Sequence, residues 1–215
     1  MLKLTRPGAP LGQGSATPTS FSPAGFARCE IGGVRQRSSV YCAMLNPSSN
    51  LQRLFDAPMR PGRLLWIGLR SARRGPIFEV QQATLSPEEG LVGDRYGGRA
   101  GGKRQVTLVA REDVAAVASF VGVPNLQPAA LRRNLLVEGI NLTALKDRTI
   151  AIGDVVLEVT GECHPCSRME EQLGPGGYNA VRGRGGITAR VQRGGLISIG
   201  DVVWEATAAD VRPKG

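Results

Sequence analysis

Two cysteines three positions apart, Cys163 and Cys166, enclose the chain's single histidine, His164, and a proline in the stretch VTGECHPCSRMEE, residues 159–171. Thiols at this spacing support three chemistries. They can exchange as a dithiol–disulfide pair. They can supply half of a zinc site, where sulfur and imidazole ligands are common. One of them can also act alone, as a thiolate that binds a soft metal or carries sulfur. The plainest alternative is a pair of idle cysteines serving as small apolar residues. A connection rich in glycine, proline and polar residues suits an exposed thiol better than a core one. Arg168 places a positive charge close to both.

The elements around the motif narrow these options. A thioredoxin-type pair needs a βαβ unit leading into it. Here the preceding run, IAIGDVVLEVT (150–160), reads as strand, Gly-Asp turn, strand, the pattern of a hairpin. For zinc, adjacent side chains such as Cys163 and His164 rarely face one ion, and Cys29 and Cys42 complete a set only if the N-terminal stretch folds back. The hairpin run recurs 47 residues later as ISIGDVVWEAT (197–207), identical at eight of eleven positions. Two such hairpins predict a β-barrel with approximate internal symmetry, with Asp154 and Asp201 as turn residues rather than catalytic ones. Further strands are expected at LLWIGL (64–69), IFEVQQATL (77–85), QVTLV (105–109) and the end of LRRNLLVEG (131–139). REDVAAVASFVG (111–122) spaces its apolar residues as a helix does, with acids in the first turn. GLVGDRYGG (90–98) reads as a glycine-rich loop, and SRMEEQLG and GPGGYNAVRG as short helical turns. The fold class is therefore mainly β with a few short helices.

The chain has 215 residues, 41% of them hydrophobic, and a formal charge of +9 that comes from 23 arginines against 4 lysines. Arginine presents a planar fork suited to phosphate and carboxylate. The excess is spread along the chain, with no basic helix carrying interleaved aromatics, which argues against nucleic acid as partner. No run approaches the length of a membrane span and residues 1–20 lack the apolar core of a secretory signal, so no membrane partner and a cytoplasmic location are expected. Residues 1–58 are rich in Pro, Gly and Ser, hold only Glu30 and Asp56 as acids, and show no sustained period. They read as a disordered or non-native N-terminal extension. The stretch superficially resembles an organelle transit segment; alternatively, translation starts at Met44 or Met59.

GLVGDRY (90–96), RQVTL (104–108), LRRNLLVEGINLTAL (131–145), IAIGDVVLEVT (150–160), CHPCSRMEE (163–171) and GGITARVQRGGLISIGD (185–201) together resemble the MOSC domain, the C-terminal domain of molybdenum cofactor sulfurases. The order and spacing carry the resemblance, across most of residues 64–206, within a domain expected to span 59–215. It implies a closed MOSC-type β-barrel with small helices around it. It implies a reactive cysteine, best matched by Cys166 with Cys163 as second candidate. In the amidoxime-reducing members of the family, one cysteine joins the pterin dithiolene as ligand to molybdenum; in others a cysteine persulfide passes sulfur on. For this chain the resemblance implies molybdenum cofactor (molybdopterin), with Cys166 as the molybdenum ligand, and reduction of a small N-oxygenated substrate; alternatively, a sulfur carrier. Arg132 and Asn134 of LRRN match the segment that contacts pterin and phosphate, and Arg133 is expected to face the other way. Asp94 and Arg95, beside Gly93, also belong to the family pattern, and Arg168 and Arg184, with Gly185 and Gly186, are further candidates for the same pocket. The resemblance includes neither the second barrel region of the amidoxime-reducing members nor a cysteine desulfurase domain. It thus implies an electron-transfer protein or a sulfur donor as partner, with pyridoxal phosphate entering only through a partner desulfurase.

Overall fold

Leu108 and Ala110 point to one side of a strand and Val109 to the other; Leu135 and Val137 part from Leu136 in the same way. This alternation sorts the apolar side chains into two cores, one inside a barrel and one between the barrel wall and the helices. The computed structural model describes residues 49–96, 98–207 and 210. Its strands are β1 (Gly62–Leu69), β2 (Phe78–Val80), β3 (Gln82–Ser86), β4 (Gly90–Leu91), β5 (Val106–Ala110), β6 (Leu135–Glu138), β7 (Thr149–Ile152), β8 (Val155–Glu162), β9 (Ile187–Arg193), β10 (Gly195–Ser198) and β11 (Val202–Glu205). Its α-helices are α1 (Asn50–Phe55), α2 (Arg111–Val121), α3 (Ser167–Leu173) and α4 (Gly177–Val181).

Seven strands close in the order β11-β7-β8-β9-β5-β6-β1, with β1 returning to β11 and β2 added outside on β1. All neighbours are antiparallel except β5 and β6, which run parallel and are joined through α2. Closure removes the free edges that an open sheet would expose. At the seam, Gly62 pairs with Val203, and a Cβ there would lie 2.3 Å from the Glu138 carbonyl oxygen, so only glycine lets β1 approach this closely. Leu64, Ile67, Leu157 and Val203 are among the fully buried side chains of the barrel interior. The outer core gathers Trp66, Val109 and Leu136 from the wall, Val114 and Val117 from α2, Met169 from α3, and Ala180 and Val181 from α4. Burial of each large side chain contributes about 1.5–3 kcal/mol. The outer core therefore fixes α3, and with it the segment carrying Cys166, against the barrel.

Helix α2 forms where the apolar spacing placed it; Glu112 and Asp113 occupy its first turn, and Gly122 caps it in the left-handed conformation at φ 66°. The run 77–85 divides at Gln81 into β2, in the barrel sheet, and β3, in a separate three-stranded sheet of order β10-β3-β4.

The two echoing segments differ. The first is a hairpin, β7 paired with β8. The second is not: β10 pairs with β3 while β11 pairs with β7 and β1. The Gly200-Asp201 turn sends the chain from one sheet to the other, with the Asp201 carboxylate accepting from Ser198 N at 2.8 Å. Asp201 is thus a turn residue, as expected, in a turn that does not close a hairpin. Of the stretch 1–58, residues 1–48, including Cys29 and Cys42, lie outside the described residues; α1 lies within its described end, where the Phe55 carbonyl accepts a hydrogen bond from Arg148. Among the described residues no helix is long and apolar enough to cross a membrane.

Candidate functional site

Five stretches of chain meet at one end of the wall formed by β1, β5 and β6, and they enclose a cleft of about 350 Å³. The turn after β1 brings Arg70, Arg73 and Arg74; the loop after β4 brings Asp94, Arg95 and Tyr96. The approach to β5 brings Arg104 and Gln105, the approach to β6 brings Arg132, Arg133 and Asn134, and the α3 segment brings Cys166, Arg168 and Met169. Eight arginines thus face a single carboxylate.

That carboxylate is already engaged. Asp94 accepts from the Arg70 backbone N–H at 2.9 Å, its other oxygen is 3.9 Å from Arg70 Nη2, and its side chain is 4% exposed. Arg95 N donates to the Arg70 carbonyl at 2.7 Å, so the loop is fastened to the end of β1. Gly93 turns that loop at φ 83°, a conformation that favours glycine. Arg70 Nε is buried in the wall and has no hydrogen-bond partner among the described residues.

Arg132 caps a short 3-10 helix, Pro128–Leu131, and stands in the left-handed region at φ 57°. Neighbouring charges act on it: burial leads in lowering its pKa, and repulsion from Arg70, Arg168 and Arg95 adds to this. Arg133, directly after the left-handed residue, is buried. Its Nε donates to Gly185 O at 2.7 Å, Nη1 to Leu131 O at 2.8 Å and Nη2 to Cys163 O at 3.3 Å. Burial is the leading cause lowering the Arg133 pKa as well. Arg133 therefore joins β6 to the cysteine segment, and its guanidinium is committed to main-chain carbonyls. Asn134 borders the cleft with its amide largely used: Oδ1 accepts from Thr107 N at 3.2 Å and Thr107 Oγ1 at 2.8 Å, and Nδ2 donates to Gly68 O at 3.4 Å.

The two thiols occupy different environments. Cys163 follows β8 and is 6% exposed, held by its N–H to Gly186 O at 2.8 Å. Cys166 is exposed, lines the cleft and immediately precedes α3. The helix thus begins after both cysteines. The adjoining Gly185 and Gly186 allow close packing: a Cβ on either would lie 1.9 Å from a carbonyl oxygen, of Cys163 and of Leu108 respectively. Among the described residues no group of three or more His, Cys, Asp or Glu side chains is placed to hold a metal ion.

Of the residues singled out from sequence, the cleft therefore gathers Cys166, Arg132, Asn134, Asp94, Arg95 and Arg168. Cys163 lies in the adjoining core. Arg184 is drawn instead to Asp113 of α2, 3.0 Å away. Sequence reading missed Arg70, Arg73, Arg74 and Arg104. The cluster RSARR directly after a strand was the available signal, but a strand end becomes a cleft wall only once the barrel closes.

A closed seven-stranded barrel with a few short helices around it is a MOSC-type fold. The sequence pattern of that family matches residues 93–204, over half of the chain, and the chain belongs to the MOSC domain family. The family is associated with molybdenum cofactor binding. Among solved structures, the YuaD protein from Bacillus subtilis is similar, with a TM-score of 0.60 at 21% identity, covering 69% of this chain and 98% of that one. YiiM from Geobacillus stearothermophilus follows with a TM-score of 0.56 at 14% identity over 68% of this chain and 75% of its own. YiiM from Escherichia coli gives 0.53 at 18% identity over 67% and 70%. At these identities the likeness is one of fold. No curated protein matches the chain.

Proposed function

We propose that the cleft binds the molybdenum cofactor with Cys166 as the single protein ligand to the metal, and that the protein reduces small N-oxygenated compounds with electrons from a partner protein. The observation that carries this reading is the placement of an exposed thiol, Cys166, on a cleft walled by eight arginines and one already paired carboxylate. The donor set fits the group. A phosphate-bearing pterin dithiolene is anionic, and Arg70 Nε is a buried donor that lacks a partner among the described residues. A metal held mainly by dithiolene sulfur needs one protein thiolate rather than a cluster of ligands. When bound, the cofactor supplies two-electron chemistry at the metal.

The chain's own residues bind and orient. Arg132, Arg168 and Arg95 hold the phosphate. Asp94 fixes Arg70 by its hydrogen bond to the Arg70 N–H. Arg133 sets the path of the segment between Cys163 and Cys166. Asn134 has one amide hydrogen left for the cofactor and otherwise ties β6 to β5. A second reading rests on the same exposed thiol. Cys166 would take the terminal sulfur of a donor persulfide, releasing the donor thiol with no net oxidation, and so act as a sulfur carrier. Burial of Cys163 weighs against a working dithiol pair, which needs both sulfurs within reach of a substrate disulfide.

Molybdenum per chain, measured by elemental mass spectrometry on protein from a cofactor-producing host, tests the reading. Near-stoichiometric metal that Cys166→Ala loses and Cys163→Ala keeps is the expected result. Metal-free protein carrying labile sulfane sulfur on Cys166 would establish the carrier reading in its place. Equal dependence on both cysteines would point to dithiol exchange.

A further inference from the structure

The cleft holds more positive charge than one cofactor phosphate answers, and the surplus lies at the rim. Arg133 is spent on three carbonyls and Arg70 is fixed by Asp94. Arg95, Arg132 and Arg168 are half-buried and lie close enough to Cys166 or to one another to interact electrostatically, while Arg73, Arg74 and Arg104 are exposed on the same cleft. Among the described residues none of these six makes an ion pair or a side-chain hydrogen bond, although ion pairs are made elsewhere by Arg111, Arg148, Arg184 and Arg190. Like charges gathered in one concavity repel, and a protein keeps them together where an anion answers them.

Backbone conformation points to the same place. Four described non-glycine residues have positive φ: Arg74 at 66°, Asn125, Arg132 and Asp147. Asn and Asp tolerate this region through their short polar side chains. Arginine has no such excuse, and both of the arginines concerned line the cleft. At Arg74 the next residue is Gly75, so a glycine was available one position away for the same turn. Strain kept at an arginine on the rim of a cleft indicates that the guanidinium is wanted there.

We propose that the substrate is itself an anion, an N-oxygenated compound bearing a carboxylate or phosphate, and that Arg73 and Arg74 on the β1–β2 turn form its binding subsite. This rests on the cofactor occupying the inner cleft beside Cys166. The inner arginines then take the cofactor phosphate, and the rim pair orients the reacting N–O group inward by gripping the opposite, charged end of the molecule. Arg104 adds to the field that draws the anion in.

The test uses two compounds differing in one charge, benzamidoxime and 4-carboxybenzamidoxime, with the full chain purified from a cofactor-producing host. Calorimetric affinity, turnover and molybdenum per chain are measured at low salt for wild type, for Arg73→Ala/Arg74→Ala and for Arg74→Gly. Wild type should bind the carboxylated compound about tenfold more tightly, the effect of one charge-assisted pair. The double variant should bind the two alike, raise KM for the carboxylated compound alone, and keep its kcat for benzamidoxime and its molybdenum. Arg74→Gly should lower the preference while its thermal midpoint stays level or rises, an outcome a purely structural arginine would not give. Equal affinities in wild type, or a preference that survives in the double variant, overturn the proposal. Loss of molybdenum in the double variant overturns it too, because the rim would then hold the cofactor. A raised KM for a protein electron donor with the substrate preference intact assigns the rim to an acidic protein instead. Metal-free protein that still prefers the carboxylated compound would sink the reductase reading and leave the anion subsite standing.

Discussion

Replacing Arg133 with methionine removes a buried guanidinium that holds three carbonyls from separate stretches of chain: Leu131 beside it, Gly185 before β9, and Cys163 at the start of the cysteine segment. Two of these bonds, at 2.7 and 2.8 Å, have full strength, and the third, at 3.3 Å, is weaker. A hydrogen bond from a charged group contributes about 1.5–3 kcal/mol, so the three amount to about 4–7 kcal/mol. Relief of guanidinium desolvation, visible as burial lowering the Arg133 pKa, offsets part of this, as does packing of the methionine. The expected net loss is about 2–4 kcal/mol, read as a lower urea midpoint at unchanged m-value. Arg133→Lys should rescue little, because one ammonium on a single stem does not span carbonyls lying in different directions. The variant should also expose Cys163, detected by mass spectrometry as faster alkylation of a thiol that is 6% exposed in the native fold. A loss below about 1 kcal/mol with Cys163 still protected would refute the view that Arg133 organises the cysteine segment.

The glycines before β9 give a graded comparison. Gly186→Ala should cost about 3 kcal/mol or more, since its Cβ would lie 1.9 Å from Leu108 O at φ 76°, whereas Gly183→Ala, at φ 70° in open space, should cost only about 1 kcal/mol of backbone strain; urea unfolding reads both. Glu170 accepts from Gly176 N at 2.7 Å and Tyr178 N at 2.8 Å, and these bonds, the Tyr178 one first, hold its carboxyl below the usual 4.5. A depressed pKa gives stability that is present above 4.5 and lost as pH falls through the lower folded value, so Glu170→Gln should lower stability most at neutral pH and progressively less as pH falls below 4.5, which flattens the acid limb of the urea-midpoint profile.

Much of the barrel was legible because its strands carry local signatures. IAIGDVVLEVT has a turn between alternating runs, and REDVAAVASFVG has helical spacing with its acids at the start. The cleft was legible only where the family's residues were already implicated. Arg73 and Arg74 stand in the cluster RSARR, which becomes part of a site only because Arg132 and Cys166, far away in sequence, line the same cleft. Arg132 and Arg133 look interchangeable as letters. A left-handed residue at 132 leaves one at the cleft and buries the other, and that backbone choice comes from the turn into β6.

The echoing segments mark the boundary between the two kinds of information. Identity at eight of eleven positions determined that both copies would be strand, Gly-Asp turn, strand. Alternation along a chain states which face of a strand is apolar, and a Gly-Asp pair states where it turns. Neither states which strand will lie alongside. That was decided by closure: β11 is taken by β7 on one side and β1 on the other, which leaves β10 to pair with β3 in the second sheet. Strand pairing depends on packing and register against the rest of the molecule, so nearly the same eleven residues make a hairpin once and a crossing between sheets the second time.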